Sequence, residues 1–187
     1  SSEQGDVKAM FKYANMLYNG AGIEENKKEA SHYFKLASDQ GHVKAMFKYA
    51  NMLYFGDGID ENKKEAAHYF KLASEQGNVK AMFNYGVMLY NGETIEENKK
   101  EAAQYFKLAS DQGIVDAMFN YAIILDEGDG IEKSKKEASH YYKLASDQGH
   151  VDAMFKYAIM LYNGDGIDEN KKGAAHYFKL ASDQGHV

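Results

Sequence analysis

Four of the seven histidines, His32, His68, His140 and His176, occupy one column of a repeating sequence, and Gln104 breaks the series. Imidazoles sharing a zinc must each come within about 2.1 Å of it. Equivalent side chains on neighbouring helices stand on the order of 8–10 Å apart. His32 and His42 lie across a helix end from one another, which is no better, and the chain has no HExxH and no histidine pair at helical i,i+4 spacing. The loops Asn163-Gly164-Asp165-Gly166-Ile167-Asp168-Glu169 and Asn19-Gly20-Ala21-Gly22 resemble calcium or nucleotide loops only superficially. Placing Gly166 at the glycine position of an EF-hand puts Leu161 where the first oxygen ligand belongs. No strand precedes the GxG and a third glycine is absent, so no dinucleotide fingerprint forms and the glycines read as turn formers. Ser38, Ser110 and Ser146 sit beside aspartates in repeated positions, and the carboxylates fall at solvated helix ends. Acid–base catalysis needs two carboxylates in different environments. The expectation is a chain that is not an enzyme and has neither cofactor nor metal.

The residues with more to offer form a polar stripe. Lys8, Lys12, Asn15 and Asn19 are 4, 3 and 4 residues apart, which keeps them within about 40° of arc on a helix. Down the repeats the first position reads Lys8, Lys44, Lys80, Asp116, Asp152. The second reads Lys12, Lys48, Asn84, Asn120, Lys156, and the third Asn15, Asn51, Val87, Ile123, Ile159. The stripe drifts from basic and polar towards acidic and apolar. An acidic peptide lying over the lysines, with an apolar anchor beyond, fits that gradient. Lysine offers a point charge rather than a bidentate fork, so its selectivity is modest. The alternative is a set of solvated surface lysines that differ neutrally among copies.

These residues must be positioned by helices, because the chain is an array. Gly5, Gly41, Gly77, Gly113, Gly149 and Gly185 recur every 36 residues, and residues 41–76 match 149–184 at 31 of 36 positions. A period of this kind marks one structural unit, copied, and completed by its neighbours. The copies run 5–40, 41–76, 77–112, 113–148 and 149–184, with fragments at 1–4 and 185–187. In each, a first helix such as 7–18 carries Met10, Phe11, Tyr13, Ala14, Met16 and Leu17 on its apolar face. A glycine turn follows, and a second helix opens at Asn26 with Glu29 at capping-box spacing. Asn62/Glu65, Asn98/Glu101 and Ser134/Glu137 repeat the device. Ala30, Tyr33, Phe34 and Ala37 form the second helix's buried face. Composition agrees: of 187 residues 44% are hydrophobic, and none is Pro, Cys or Trp. All 22 positive charges are lysine against 28 acidic residues, for a net −6. An acidic, arginine-free chain is poorly suited to nucleic acid, and no apolar run is long enough to insert in a membrane.

Ala9, the small residue at Ala14, Gly20-x-Gly22-Ile23, Ala30, Tyr33, Ala37 and Gly41 recur at fixed offsets over essentially the whole chain. This pattern resembles the Sel-one-like repeat (SLR), a relative of the tetratricopeptide repeat. The resemblance implies an all-α fold, a right-handed α-solenoid superhelix of about five helix–turn–helix repeats. It also implies a protein–protein interaction scaffold or adaptor whose first helices line a concave face, so the stripe becomes the partner-binding groove. A structural spacer with nothing in that groove is the rival reading, and a metal-binding or enzymatic module a second. Departures from the family pattern include Asn or Ser at the second-helix cap in place of Asp, Thr94 for the second loop glycine, and Gly173 for the capping-box Glu. Thr94 should strain its turn and Gly173 weaken its helix start, each by about 1 kcal/mol. Neither end has a polar cap repeat, so the chain reads as a segment of a longer array. The last helix, with Tyr177, Phe178 and Ala181, is expected to be exposed and to favour end-to-end self-association. The lack of cysteine and of N-x-S/T acceptors points to the cytoplasm.

Overall fold

The computed structural model describes residues 2–92 and 96–185, with side chains from Asp6 onward. The regular structure among them is entirely α-helical. The chain divides into two compact units, 1–97 and 98–187, with the boundary between the two helices of the third copy. The first unit holds α1 (Ser2–Asn19), α2 (Lys27–Asp39), α3 (Val43–Phe55), α4 (Lys63–Glu75) and α5 (Val79–Asn91). The second holds α6 (Lys99–Asp111), α7 (Val115–Glu127), α8 (Lys135–Asp147), α9 (Val151–Asn163) and α10 (Lys171–Asp183). Odd-numbered helices are the first helices of the copies and even-numbered ones the second. Residues 2–5 align with the glycine turn at 38–41, yet they continue helix α1. Thr94 lies outside the described residues.

The join between first and second helix is set by hydrogen bonds. Gly56 takes φ of +66°, a left-handed conformation cheap only for glycine. The N–H of Asp57 then bonds back to the Met52 carbonyl at 3.0 Å, the Schellman closure of a helix end. The second helix starts as its cap residues predict, with Asn26, Asn62 and Asn98 each accepting from the N–H of the Glu three residues on at 3.0 Å. The reciprocal half of the capping box is different from expectation. The Glu29 carboxylate takes a bond from the Asn26 side-chain amide, not from its backbone. The Asn26 backbone N–H is already committed to the Leu17 carbonyl at 2.8 Å. Asn62, Ser134 and Asn170 bond in the same way to Leu53, Leu125 and Leu161. In these four copies one backbone bond thus clamps the second helix to the end of the first.

Each helix packs against its sequence neighbours within its unit. Alanines at Ala14, Ala30, Ala37, Ala45 and Ala50 are wholly buried and let helix backbones approach closely. Phe34, Phe70 and Tyr142 fill the space inside their pairs, where each meets a first-helix phenylalanine, Phe11, Phe47 or Phe119. First- and second-helix tyrosines meet edge to face in Tyr13–Tyr33, Tyr49–Tyr69, Tyr121–Tyr141 and Tyr157–Tyr177, with ring centres 4.9–5.0 Å apart. Such pairs are worth about 0.5–1.5 kcal/mol beyond their buried area. Completion by a neighbour is visible in the first unit. Tyr13 and Met16 are 39% and 40% exposed on α1, whereas their counterparts Tyr49 and Met52 on α3, which has helices on both sides, are 7% and 2% exposed. Burying one such side chain stabilises by roughly 1.5–3 kcal/mol. The last helix is exposed, as its sequence predicts: only Ala174 and Ala181 of α10 are buried, with Tyr177 resting on Tyr157 and Phe178 on Phe155, whereas α2 buries Ala30, Ser31, Phe34, Ala37 and Ser38.

The second loop glycine does more than turn the chain. A Cβ on Gly58 would stand 2.3 Å from Lys27 Cβ of the preceding copy, whereas one on Gly22 meets nothing. Both have φ near +77°, so strain from positive φ is shared and only the close approach differs. Gly22→Ala should cost about 1 kcal/mol, and Gly58→Ala roughly 2–4 kcal/mol because overpacking is added. Urea denaturation of the two variants checks this, and equal losses would show that the copies do not touch there. Gly173 leaves its cap intact, since Asn170 still accepts from its N–H at 2.8 Å. Gly173→Glu should therefore raise thermal stability, by about 1 kcal/mol of helix propensity plus the missing amide–carboxylate bond.

Candidate partner-binding surface

The first position of the stripe is exposed in every copy: Lys8, Lys44, Lys80, Asp116 and Asp152. In the second, Lys12 and Lys156 are exposed, and Lys48, Asn84 and Asn120 half-buried. Asn15, Asn51, Val87, Ile123 and Ile159 are half-buried. The stripe is therefore a real surface feature of each unit. In the first unit Lys8, Lys12 and Lys44 line an opening of about 650 Å³ between α1 and α3. Lys48, Asn51 and Lys80 line a second of about 600 Å³ reaching from Tyr18 to Phe55. Among the described residues no carboxylate pairs with Lys8, Lys12, Lys44, Lys48 or Lys80, and Lys48 lies 5.5 Å from the centre of the Tyr18 ring. The asparagines are partly committed: Asn15 and Asn51 donate an amide N–H back to the Phe11 and Phe47 carbonyls, leaving their side-chain oxygens as acceptors. In the second unit Asp116 stands 3.7 Å from His150, and Ile123 packs on the core.

The acidic loops have a structural occupation in ion pairs between copies. Asp57 pairs with Lys27 of the preceding copy at 2.8 Å, and Asp129 with Lys99 at 2.6 Å. Lys135 and Asp165 make the same pair. The Lys27 ammonium first, and the Tyr18 hydroxyl second, hold the Asp57 carboxyl below the usual carboxylate range. The signal was present in the sequence. The first copy carries Ala21 where later loops carry Asp57, Asp129 and Asp165, each thirty residues beyond a lysine. The serines are also occupied: Ser38, Ser110 and Ser146 are buried and donate to the Phe34, Lys107 and Tyr142 carbonyls of their own helices.

Two histidines outside the repeated column have a defined task. His42 and His150 begin α3 and α9, where Nδ1 accepts the N–H of Ala45 and Ala153 at 3.2 Å. Their rings stack on Phe11 and Phe119 at 4.3 Å. Asn78 caps α5 in the same way at 2.9 Å, and Ile114 leaves α7 without a side-chain cap. His32, His68, His140 and His176 are exposed and lie edge-on to the tyrosine that follows each. Among the described residues no group of three His, Asp or Glu side chains could hold a metal ion, and no helix is long and apolar enough to cross a membrane.

The Sel1 repeat family model matches residues 7–42, 43–78, 79–114, 115–150 and 151–186, in a frame that opens each repeat at the first helix. Among solved structures, the chain is similar to a protective antigen of uropathogenic Escherichia coli that displays an SLR fold. The TM-score is 0.92 at 23% identity, over 99% of this chain and 40% of that one. It is also similar to a Sel1 repeat protein from Oxalobacter formigenes, with a TM-score of 0.91 and 26% identity over 100% of this chain and 77% of that one. The fold is thus an α-solenoid of five helix–turn–helix repeats. The chain spans less than half the length of the Escherichia coli antigen. Comparison with curated protein sequences gives no match.

The His42 cap makes folding sensitive to pH. Burial first, and Lys44 and Lys8 besides, push the His42 pKa below 6.5. Between that depressed value and 6.5 the unfolded chain binds a proton that the folded chain resists, so stability rises with pH. The contribution is complete above pH 6.5 and is lost as pH falls through the folded pKa. His42→Asn, which copies the Asn78 cap, should shrink the stability difference between pH 7.5 and pH 5.5 in urea melts. An unchanged difference would contradict a neutral His42 cap.

Proposed function

The chain belongs to the Sel1 repeat family, and from that premise we propose that its exposed first-helix stripe binds a segment of a protein partner that is rich in carboxylates. Sel1 repeat proteins are generally protein-interaction scaffolds, and their fold is typically non-enzymatic. The observation that carries the finer reading is the set Lys8, Lys12, Lys44, Lys48 and Lys80, gathered on α1, α3 and α5 without carboxylate partners among the described residues. The chain as a whole carries a net −6. Lysines left unpaired on one surface of an acidic protein make a local positive field that steers acidic segments. Asn84 and the side-chain oxygens of Asn15 and Asn51 are available to a partner's backbone. The second unit presents its own stretch, Asp116, Asn120, Ile123, Asp152, Lys156 and Ile159, in which the two isoleucines supply apolar contact.

Binding of labelled acidic peptides, measured at low and physiological salt, tests the proposal. Lys12→Glu combined with Lys48→Glu should weaken binding at least tenfold and flatten its salt dependence, while circular dichroism stays unchanged. Peptides that never bind would favour the rival reading of a spacer without a groove ligand.

A further inference from the structure

Phe55 breaks the repeat. Its column reads Asn19, Phe55, Asn91, Glu127, Asn163, polar in every other copy. It is also 69% exposed, more than any other large apolar residue of the described chain. Its ring is braced edge to face on Tyr54, with centres 4.9 Å apart, so it is not a loose surface side chain.

Its position gives the exposure a use. Phe55 is a wall shared by two openings of the first unit. On one side is the basic opening of about 600 Å³, with Lys48 and Lys80. On the other is an apolar notch of about 130 Å³, lined by Tyr54, Phe70, Phe83, Val87 and Met88 with Asn84 at its edge. A volume near 150 Å³ lined by apolar side chains holds a benzene ring, so the notch suits one phenylalanine or leucine side chain. The one carboxylate in the basic opening, Asp57, is already engaged by Lys27 and Tyr18 and leaves the lysines unopposed.

We infer that the first unit reads a two-part motif in its partner, carboxylates next to a single bulky apolar side chain, and that Phe55 selects the apolar part. This rests on the lysine stripe being a partner surface. The ligand carboxylates meet Lys48 and Lys80, and the neighbouring apolar side chain crosses the Phe55 ring into the notch. An extended peptide advances about 3.3 Å per residue, so anchor and carboxylates on either side of one ring lie within a few residues of each other in the ligand. Phe55 buries its exposed face on binding, which gives the anchor its affinity, while the lysines contribute attraction that any acidic peptide shares.

The test uses the whole chain and two synthetic peptides: a glutamate stretch carrying one phenylalanine, and the same stretch with serine in its place. Phe55→Asn is the variant, since asparagine stands at this position in three other copies. The expected result is that the phenylalanine peptide binds the unaltered protein about tenfold more tightly than the serine peptide, and that Phe55→Asn removes this preference without weakening the serine peptide. Equal affinities for the two peptides, or a preference that survives in Phe55→Asn, would overturn the inference while the lysine surface stands. If neither peptide binds, the lysine surface itself is refuted and the two-part motif with it.

Discussion

A pair of short helices cannot bury its own apolar surface, and the rest of this structure follows from that constraint. Helices of thirteen residues are marginal alone in water. The contrast between exposed Tyr13 and covered Tyr49 shows where the missing stability comes from: a neighbouring helix. The copies are therefore alike at most of the positions where they touch. Buried alanines set the spacing, aromatic rings such as Phe34 and Tyr142 fill the pairs, and the bond from the caps Asn26, Asn62, Ser134 and Asn170 to a leucine carbonyl fixes the angle of the join. Between copies, a glycine such as Gly58 admits the start of the preceding copy's second helix, and a lysine–aspartate pair such as Lys27–Asp57 locks it.

That division of labour leaves only some positions free to vary. Residues 41–76 and 149–184 differ at Lys44/Asp152, Asn51/Ile159, Phe55/Asn163, Glu65/Gly173 and Glu75/Asp183. The first three lie on the outer surface of the first helix. A packing residue that drifted would have to be matched in the copies on either side, whereas a surface residue answers to solvent or to a partner. Variation therefore accumulates where binding can use it, and the charge of the stripe changes along the chain without cost to the core.

The period, the helix pairs and the cap residues were legible in the sequence, because each rests on local spacing: glycine recurrence, apolar faces, and Asn three residues before Glu. The exposed stripe was legible for the same reason. What escaped was set by contacts between copies. Asp57 and Asp165 are paired by Lys27 and Lys135, thirty residues earlier in the preceding copy, and only the stacking of the copies brings them together. His42 caps a helix through a ring nitrogen and stacks on Phe11 of the preceding copy, a role that its spacing from His32 does not signal. Gly58 read as a turn former, and the helix it accommodates is in another copy. Phe55 carries no outward sign in the sequence, because a lone phenylalanine on a helix is usually core, and its exposure in the fold is what shows that it faces outward.

The central claim is that the copies pack through what they share and bind through what they do not. Backbone amide NMR of the protein during titration with an acidic peptide tests it most directly. Resonances of α1, α3 and α5 around Lys8, Lys12, Lys44, Lys48 and Lys80 should move in proportion to occupancy, while those of the exposed second-helix column at His32 and His68 stay still. Shifts confined to the second helices, or to the repeated loops, would contradict it.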